Sequence, residues 1–227
     1  MFNATSPATD TIKTASGDLT ITFLGHASLY FTFGGLVVHV DPWAKLADYA
    51  KLPGADLILI THDHQDHFDS AAVAAIRKNG APVVATRAVA AKLPETTALA
   101  NGDAKDVLGL RIEAVPAYNI MHKRDSGEPF HPKGDGNGYV VSFGETRVYI
   151  AGDTENTPEM KALRNIDVAF LPMNLPYTMT PEMAADAAKA FGPKILYPYH
   201  TGDTDLSRLT VLMRDTPGVD VRLRKMP

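Results

Sequence analysis

The chain has no cysteine among its 227 residues, which excludes both disulfide bonds and thiolate metal ligands. It carries 22 basic and 26 acidic residues, and the resulting net charge of −4 gives no bulk attraction to nucleic acid or anionic lipid. No stretch approaches the roughly 18 consecutive apolar residues of a membrane-spanning helix. We therefore expect a small-molecule substrate, no nucleic-acid partner, no membrane span, and histidine or carboxylate ligands for any bound metal.

The distribution of short apolar runs predicts the organisation of the chain. Residues 1–17 are rich in Thr, Ser and Ala and have neither the basic start nor the apolar run of a signal peptide, so we expect a flexible N-terminal leader. Strands joined by glycine turns follow at Leu19–Leu24, Leu29–Phe33 and Leu36–Val40, and the later chain alternates strands with helices. This pattern predicts one α/β domain over residues 18–227, an αββα sandwich with two mixed sheets inside and helices outside.

A histidine- and aspartate-rich segment carries the strongest chemical signal. It is Thr61-His62-Asp63-His64-Gln65-Asp66-His67, and it directly follows the apolar run Leu57–Ile60. On an extended segment His62 and His64 point the same way and can share one metal ion, while Asp66 and His67 lie past a turn and can reach a second. Imidazole and carboxylate donors suit zinc, manganese, iron or nickel, and two ions about 3.5–4 Å apart can act together on one scissile bond.

This segment resembles the H-x-H-x-D-H signature of the metallo-β-lactamase superfamily. Three further residues occur in the superfamily's order along the chain. Asp41, which precedes the segment, comes after an early strand; Asp153 lies in a Gly-Asp turn, and His200 lies at the end of a late strand. The start, Phe23-Leu24-Gly25-His26-Ala27-Ser28, resembles the branch that contains ascorbate-6-phosphate lactonase and N-acyl phosphatidylethanolamine phospholipase D. The resemblance extends from about Leu19 to the C-terminus and implies the metallo-β-lactamase type of αββα sandwich.

The resemblance also implies a set of metal ligands and two bound divalent ions, zinc first, with manganese, iron or nickel as alternatives. His62 and His64 would bind the first ion, and Asp153 would bridge both. The second ion would be bound by Asp66, His67 and His200. Asp41 would support the ligands from behind through hydrogen bonds.

The third ligand of the first metal is where the sequence departs from the superfamily pattern. A histidine is expected just after the strand that ends near Val115, and Asn119 stands there instead. An amide carbonyl is a weaker ligand than imidazole, so two candidates remain: Asn119 itself, or His131 brought back by the long polar loop 116–137. His122 is a poorer candidate.

Four further residues are considered as candidates for contact with a substrate. His26 lies in a glycine turn, and a pocket residue and a structural hydrogen-bonding residue are equally consistent with that position. Tyr177 follows a strand on the predicted rim, where it is either a phenol donor to substrate or a packed loop tyrosine. For Arg124 and its neighbour Lys123, a solvated loop is favoured over an anion site.

These observations together predict a hydrolase that uses metal-activated water on a lactone, an ester or a phosphoester. Asp66 is the main catalytic candidate because it can orient the water and accept its proton. A covalent acyl-enzyme is disfavoured, since the chain has no cysteine and no G-x-S-x-G motif. Two alternatives remain: a phosphodiesterase or nuclease, against which the negative net charge argues, and a metal-binding scaffold without turnover, which is consistent with Asn119.

Overall fold

Two seven-stranded sheets form the centre of the protein in the computed structural model, which describes residues 7–226. The first sheet has the spatial order β1 to β7, antiparallel from β1 to β4 and parallel from β4 to β7. Its strands are β1 (Ala8–Thr14), β2 (Gly17–Gly25), β3 (Ser28–Phe33), β4 (Leu36–Val40), β5 (Leu57–Leu59), β6 (Val83–Ala85) and β7 (Thr96–Ala98).

The second sheet repeats this arrangement in the later part of the chain. Its spatial order is β14 to β8, antiparallel from β8 to β11 and parallel from β11 to β14. Its strands are β8 (Ala104–Val107), β9 (Leu110–Ala117), β10 (Gly136–Phe143), β11 (Thr146–Ile150), β12 (Val168–Pro172), β13 (Ile195–Tyr199) and β14 (Asp220–Val221). The helices are α1 (Ser70–Ile76), α2 (Arg87–Lys92), α3 (Pro158–Lys161), α4 (Pro181–Phe191) and α5 (Leu206–Met213), with a short 3-10 helix at Tyr49–Lys51.

Apolar side chains that alternate along the antiparallel strands fill the space between the two sheets. In β2, Leu19, Ile21 and Phe23 are buried in this core, because every second residue of a strand faces the same side. They meet aromatic residues of the second sheet, with the rings of Phe23 and Phe170 6.3 Å apart. Burial of such a side chain stabilises the fold by about 1.5–3 kcal/mol, so this layer holds the two sheets together.

The helices cover the outer faces of both sheets. In β5 all three residues are buried; Leu57 and Leu59 belong to the core between the sheets, and Ile58 packs with Val73 and Ile76 of α1. Helices α3, α4 and α5 cover the second sheet in the same way. The prediction of an αββα sandwich with two mixed sheets is thus confirmed. Within residues 7–226 no helix is both long and apolar enough to cross a membrane.

The N-terminal segment departs from the sequence-based expectation. Residues 1–6 lie outside the described part of the chain, but Ala8–Thr14 form strand β1 and pair antiparallel with β2 over seven residues. The expected flexible leader is therefore wrong for this stretch. Its threonines favour an extended backbone, and an edge strand needs little apolar surface, which explains the polar composition. Asp10 anchors the strand through hydrogen bonds from Arg224 at 2.6 Å and 3.0 Å.

Candidate metal centre

The predicted motif residues meet at one edge of the sandwich, where parallel strands of both sheets end. Asp41 follows β4 and the segment Thr61–His67 follows β5 in the first sheet, while Asp153 comes just after β11 and His200 after β13 in the second. Asp41 and His200 adopt positive backbone φ angles of 44° and 47°. Such angles cost non-glycine residues about 1–3 kcal/mol, and this strain occurs where the backbone must aim a side chain into a site.

Three histidines form the first group of converging ligand atoms. One nitrogen from each of His62, His64 and His131 lies within 4.8 Å of the others. The ring of His62 is 4.5 Å from that of His64 and 5.3 Å from that of His131. The long loop therefore does bring His131 back to the pair supplied by the motif.

A second group lies beside the first. It contains His26, Asp66, His67 and His200, whose ligand atoms also lie within 4.8 Å of one another. Asp66 Oδ2 is 3.8 Å from His200 Nε2 and 4.0 Å from His67 Nε2. The structure adds His26 to the expected set: its Nε2 is hydrogen-bonded to Asp66 Oδ2 at 3.0 Å, and its ring lies 3.8 Å from that of His200.

The carboxylate of Asp153 lies between the two groups. Its Oδ2 is 3.3 Å from His131 Nε2 and 3.5 Å from His200 Nε2, so one oxygen faces a residue of each group. Its Oδ1 is 3.4 Å from His67 Nε2. The position is the one expected for a residue that bridges two ions.

The polar atoms of this cluster that lack hydrogen bonds are spaced for coordination of a metal ion and not for hydrogen bonds to one another. Among residues 7–226, His62 Nε2, His67 Nε2, His200 Nε2 and Asp153 Oδ1 are buried without a hydrogen-bond partner, although buried polar atoms are almost always paired. The Nε2 atoms of His62, His67, His131 and His200 lie 3.3–4.0 Å from a carboxylate oxygen of Asp153, and these distances are long for hydrogen bonds. These distances match the roughly 3.4 Å that separates two ligand atoms of the same tetrahedral ion when each lies about 2.1 Å from it. The donor set therefore fits the divalent ions that the motifs imply.

Asp41 lies behind the ligands, as the resemblance implies. Its fully buried carboxylate accepts hydrogen bonds from the backbone N and the hydroxyl of Thr61, both at 2.8 Å, and from His67 Nδ1 at 2.9 Å. Because Nδ1 donates to Asp41, the lone pair of His67 is on Nε2, which points at the cluster.

Asn119 does not take the place of a metal ligand. Its Oδ1 accepts hydrogen bonds from the backbone N of His131 at 3.0 Å and from His131 Nδ1 at 2.7 Å. Its Nδ2 donates to Glu155 Oε1 at 3.3 Å and to the carbonyl oxygen of Tyr177 at 2.9 Å. Of the two candidates for the third position of the first group, the structure places His131 there and uses Asn119 to support it.

The sequence motifs do not point to Glu155, two residues after Asp153. Its carboxylate is fully buried and accepts hydrogen bonds from the backbone N atoms of Ile120, Met121 and His122, each at 2.7 Å. His122 Nδ1 lies 2.7 Å from the same carboxylate, which explains why this histidine stays away from the ligand groups. The only sequence signal was an acidic residue directly after the Gly-Asp turn.

The ionisation of the cluster suits metal binding at His62 and at the two aspartates, whereas the ring of His67 would release a proton as a metal binds. Burial would lower the pKa of His67, but Asp153 and Asp41 hold it well above 6.5. Burial, reinforced by neighbouring His67, lowers the pKa of His62 well below its ordinary 6.5, so the ring is neutral and can bind a cation. Burial would raise the pKa of Asp153, but the charges of His200 and His67 outweigh it and hold the pKa well below 3.8. Burial would likewise raise the pKa of Asp66, but the side chains of His200 and His26 outweigh it and hold the pKa well below 3.8. Both aspartates are therefore carboxylates.

An open cleft of about 400 Å³ gives access to these groups, a volume within the range that small-molecule sites occupy. His64, Asp66, His131, Asp153 and His200 line it from the cluster, and Arg124, Phe130, Asn174 and Tyr177 line it from the surrounding loops. Tyr177 is therefore on the rim as expected and is 45% exposed. The favoured interpretation of Arg124 as an ordinary solvated loop residue misses its place in this lining.

Known proteins are similar to this chain in both sequence and fold. A family model described as a β-lactamase superfamily domain matches residues 20–200. A UPF0173 metal-dependent hydrolase of Aeropyrum pernix is 34% identical over 198 residues, covering 80% of this chain and 82% of that protein.

Solved structures agree. A crystal structure of a Parabacteroides distasonis protein matches with a TM-score of 0.93 at 48% identity, covering 97% of this chain and 100% of that one. The metallo-β-lactamase fold protein YhfI of Bacillus subtilis matches with a TM-score of 0.70 at 15% identity, covering 91% and 96%, which shows a common fold.

The protein is a metal-dependent hydrolase with the metallo-β-lactamase fold, as its fold, the order of its motifs and its converging ligand atoms indicate. Within that class, the chain belongs to the UPF0173 metal-dependent hydrolase family of the β-lactamase superfamily.

Proposed function

We propose that this protein hydrolyses a small lactone, ester or phosphoester with the help of two divalent metal ions, zinc first. The observation that carries the proposal is the set of buried, unpartnered nitrogen and oxygen atoms that converge under an open cleft. Groups of this kind are costly to bury, so their presence at the floor of a substrate-sized cleft supports a catalytic site.

The two ligand groups would hold one ion each. His62, His64 and His131 would bind the first, while Asp66, His67 and His200 would bind the second and Asp153 would contact both. His26 lies close enough to Asp66 to orient its carboxylate. Bound divalent ions supply Lewis acidity and lower the pKa of water from 15.7 to about 7.

Asp66 is the residue of this chain best placed to act on the water and its proton. Its side chain is 36% exposed and lines the cleft, whereas Asp153 is buried among histidines. Asp66 Oδ2 is hydrogen-bonded to His26 Nε2 at 3.0 Å, and Oδ1 would be the atom that contacts the water. The Asp66 carboxylate would orient this water and accept its proton, while Tyr177 on the rim would donate a hydrogen bond to a substrate oxygen.

A lactone or ester is favoured over a long nucleic acid. The net charge is −4, and neighbouring lysines Lys92 and Lys133 are already paired with Asp63 and Glu159. A phosphodiester backbone would need several free cations along its path. The Gly25-His26-Ala27-Ser28 segment supports a relation to the lactonase and phospholipase branch, and this relation stays part of the proposal.

Activity of the metal-loaded protein on a panel of lactones, carboxylic esters and phosphodiesters tests this function. We expect turnover of at least one class, and its loss by about a hundred-fold or more in Asp66→Asn. Asp63→Asn is the matched control, because Asp63 lies in the same segment but is paired with Lys92 at 2.6 Å. Full activity in Asp66→Asn would refute its catalytic role. A protein that binds its metals but turns over no panel member would favour the scaffold alternative.

A further inference from the structure

Arg124 is a cation in the wall of the metal cleft. Its guanidinium lies 5.4 Å from the centre of the Phe130 ring, and its Nη2 donates a hydrogen bond to the Phe130 carbonyl oxygen at 3.1 Å. An arginine has five N–H donors in a planar fork, so most of them are left for another acceptor. These contacts hold the side chain at the cleft, and because both partners are uncharged they do not neutralise the guanidinium.

Arg124 has no carboxylate partner, unlike Lys92 and Lys133 near the same edge. Lys92 lies 2.6 Å from Asp63 and Lys133 lies 2.5 Å from Glu159. In the part of the chain that the structure describes, no carboxylate oxygen comes within 4.0 Å of the Arg124 guanidinium. A positive charge that lines a cleft and lacks a counter-ion is suited to an anionic group of a ligand.

Arg124 lies in a small hairpin that directly precedes Phe130 and His131. Its N donates to the carbonyl oxygen of Glu128 at 2.8 Å, and its own carbonyl oxygen accepts from Gly127 N at 2.9 Å. A β-bridge between Lys123 and Pro129 closes this small hairpin. The next two residues are Phe130 and the ligand candidate His131, so one short segment carries both the cation and a residue of the first metal group.

Two aromatic side chains, Phe130 and Tyr177, form part of the cleft's lining. The rings of Phe130 and Tyr177 meet edge to face with centres 5.1 Å apart, and both residues line the cleft. This surface suits a short carbon chain better than a second charge. The lining thus offers three kinds of contact: metal ligands, an apolar wall and a guanidinium.

We propose that Arg124 binds an anionic oxygen group of the substrate, a carboxylate or a phosphate, while the scissile bond lies at the metal centre and the carbon chain packs on Phe130 and Tyr177. The inference rests on the proposed hydrolase function and narrows its substrate to small molecules that carry a negative charge away from the reacting bond. The cleft volume of about 400 Å³ suits such a molecule.

Matched ester substrates test this assignment. The mono-4-nitrophenyl esters of glutaric acid and of 4-phosphonobutyric acid carry a carboxylate and a phosphonate, and methyl 4-nitrophenyl glutarate is the neutral counterpart. We expect wild type to prefer one or both anionic esters, and Arg124→Gln to reduce this preference in kcat/KM about ten-fold, chiefly through KM. Lys123→Gln is the control, since Lys123 adjoins Arg124 but is not part of the cleft lining. The better anionic ester shows which group the subsite takes.

Binding without turnover separates this inference from the proposed function. Titration calorimetry of the metal-loaded protein would use the mono-4-nitroanilide of glutaric acid and its methyl ester. We expect Arg124→Gln to weaken binding of the acid about ten-fold and to leave the methyl ester unchanged. Equal affinity for the acid in wild type and Arg124→Gln, or an equal loss in Lys123→Gln, would overturn the assignment. Arg124-dependent binding without hydrolysis of any ester would count against the hydrolase function alone.

Discussion

Asn119 Oδ1 accepts a hydrogen bond from His131 Nδ1 at 2.7 Å, and the same oxygen accepts the backbone N–H of His131 at 3.0 Å. The backbone donor identifies this atom as the amide oxygen, so the imidazole proton must be on Nδ1. His131 Nε2 then carries the lone pair, 3.3 Å from Asp153 Oδ2. The asparagine that departs from the superfamily pattern therefore sets the tautomer of His131, the third member of the first group.

Removal of this support should weaken the first metal group. We expect Asn119→Ala to lower metal affinity about ten- to a hundred-fold for one of the two ions, because His131 loses the acceptor that orients its ring. Metal content would be measured by elemental analysis after dialysis against a competing chelator. Asn156→Ala is the control, since Asn156 donates only to Asp186 at 2.7 Å on the surface. Unchanged metal retention in Asn119→Ala would show that the hydrogen bond does not matter for binding.

Replacing Asn119 by histidine should not strengthen the site. Asn119 is 4% exposed and both polar atoms of its side chain are hydrogen-bonded, so the larger ring would displace His131 rather than join it. We expect Asn119→His to bind no more metal per chain than wild type and to melt at a lower temperature. Higher metal affinity in this variant would mean that position 119 does face the first ion.

Glu155 should matter more for stability than an ordinary surface glutamate. Its carboxylate is the acceptor for three backbone N–H groups of the segment that begins at Asn119. We expect Glu155→Gln to reduce the free energy of unfolding by about 2–3 kcal/mol, because an amide cannot satisfy all of these donors. Urea unfolding of the metal-free wild type and variant would measure this loss in the free energy of unfolding. Glu159→Gln should cost less than about 1 kcal/mol, since Glu159 pairs near the surface with Lys133.

The docking of the first strand can be tested at Asp10. Burial would raise the pKa of Asp10, but hydrogen bonds from Arg224 and Tyr197 outweigh it and lower the pKa below 3.8. We expect Asp10→Asn to cost about 1 kcal/mol at neutral pH. A lowered folded-state pKa stabilises the fold above the ordinary value and loses that effect as the pH falls through the folded value, so the difference should shrink below pH 3.8.

The matched control for this strand is Asp18→Asn. Asp18 pairs with Lys13 in the same hairpin, but the two side chains are 52% and 81% exposed. Exposed pairs contribute little, and we expect no measurable change. If Asp10→Asn also left the free energy of urea unfolding unchanged at neutral pH, the stability of the strand would not depend on its hydrogen bonds with Arg224.

Metal removal should lower the stability of the whole fold. Both sheets supply ligand candidates, so bound ions tie the two halves together, and the buried atoms that lack partners are left uncompensated without them. At metal concentrations a thousand times the dissociation constant, a bound ion stabilises the native state by about 4 kcal/mol. We expect chelation to lower the melting temperature and re-addition of zinc to restore it. No change on chelation would refute metal binding by this cluster.

The sequence by itself determined the sandwich and most of the cluster. Alternating apolar residues in β2 and the fully apolar β5 defined strands, and His62, His64, Asp66 and His67 lie in one short segment whose local geometry follows from strand periodicity. Short edge strands such as Thr96–Ala98 and Ala104–Val107 left no such signal, because most of their residues are partly or fully exposed and need no apolar pattern.

Only the tertiary structure decided the contacts that close the site from a distance. His131 joins the first group because Asn119, twelve residues earlier, holds its ring, and Asn119 is itself held by Glu155 and by the Tyr177 carbonyl oxygen. Arg124 becomes part of the cleft through the hairpin that precedes Phe130. Such interactions join residues far apart in the chain, and no local periodicity encodes them, since they exist only once both sheets have packed and their loops meet at one edge.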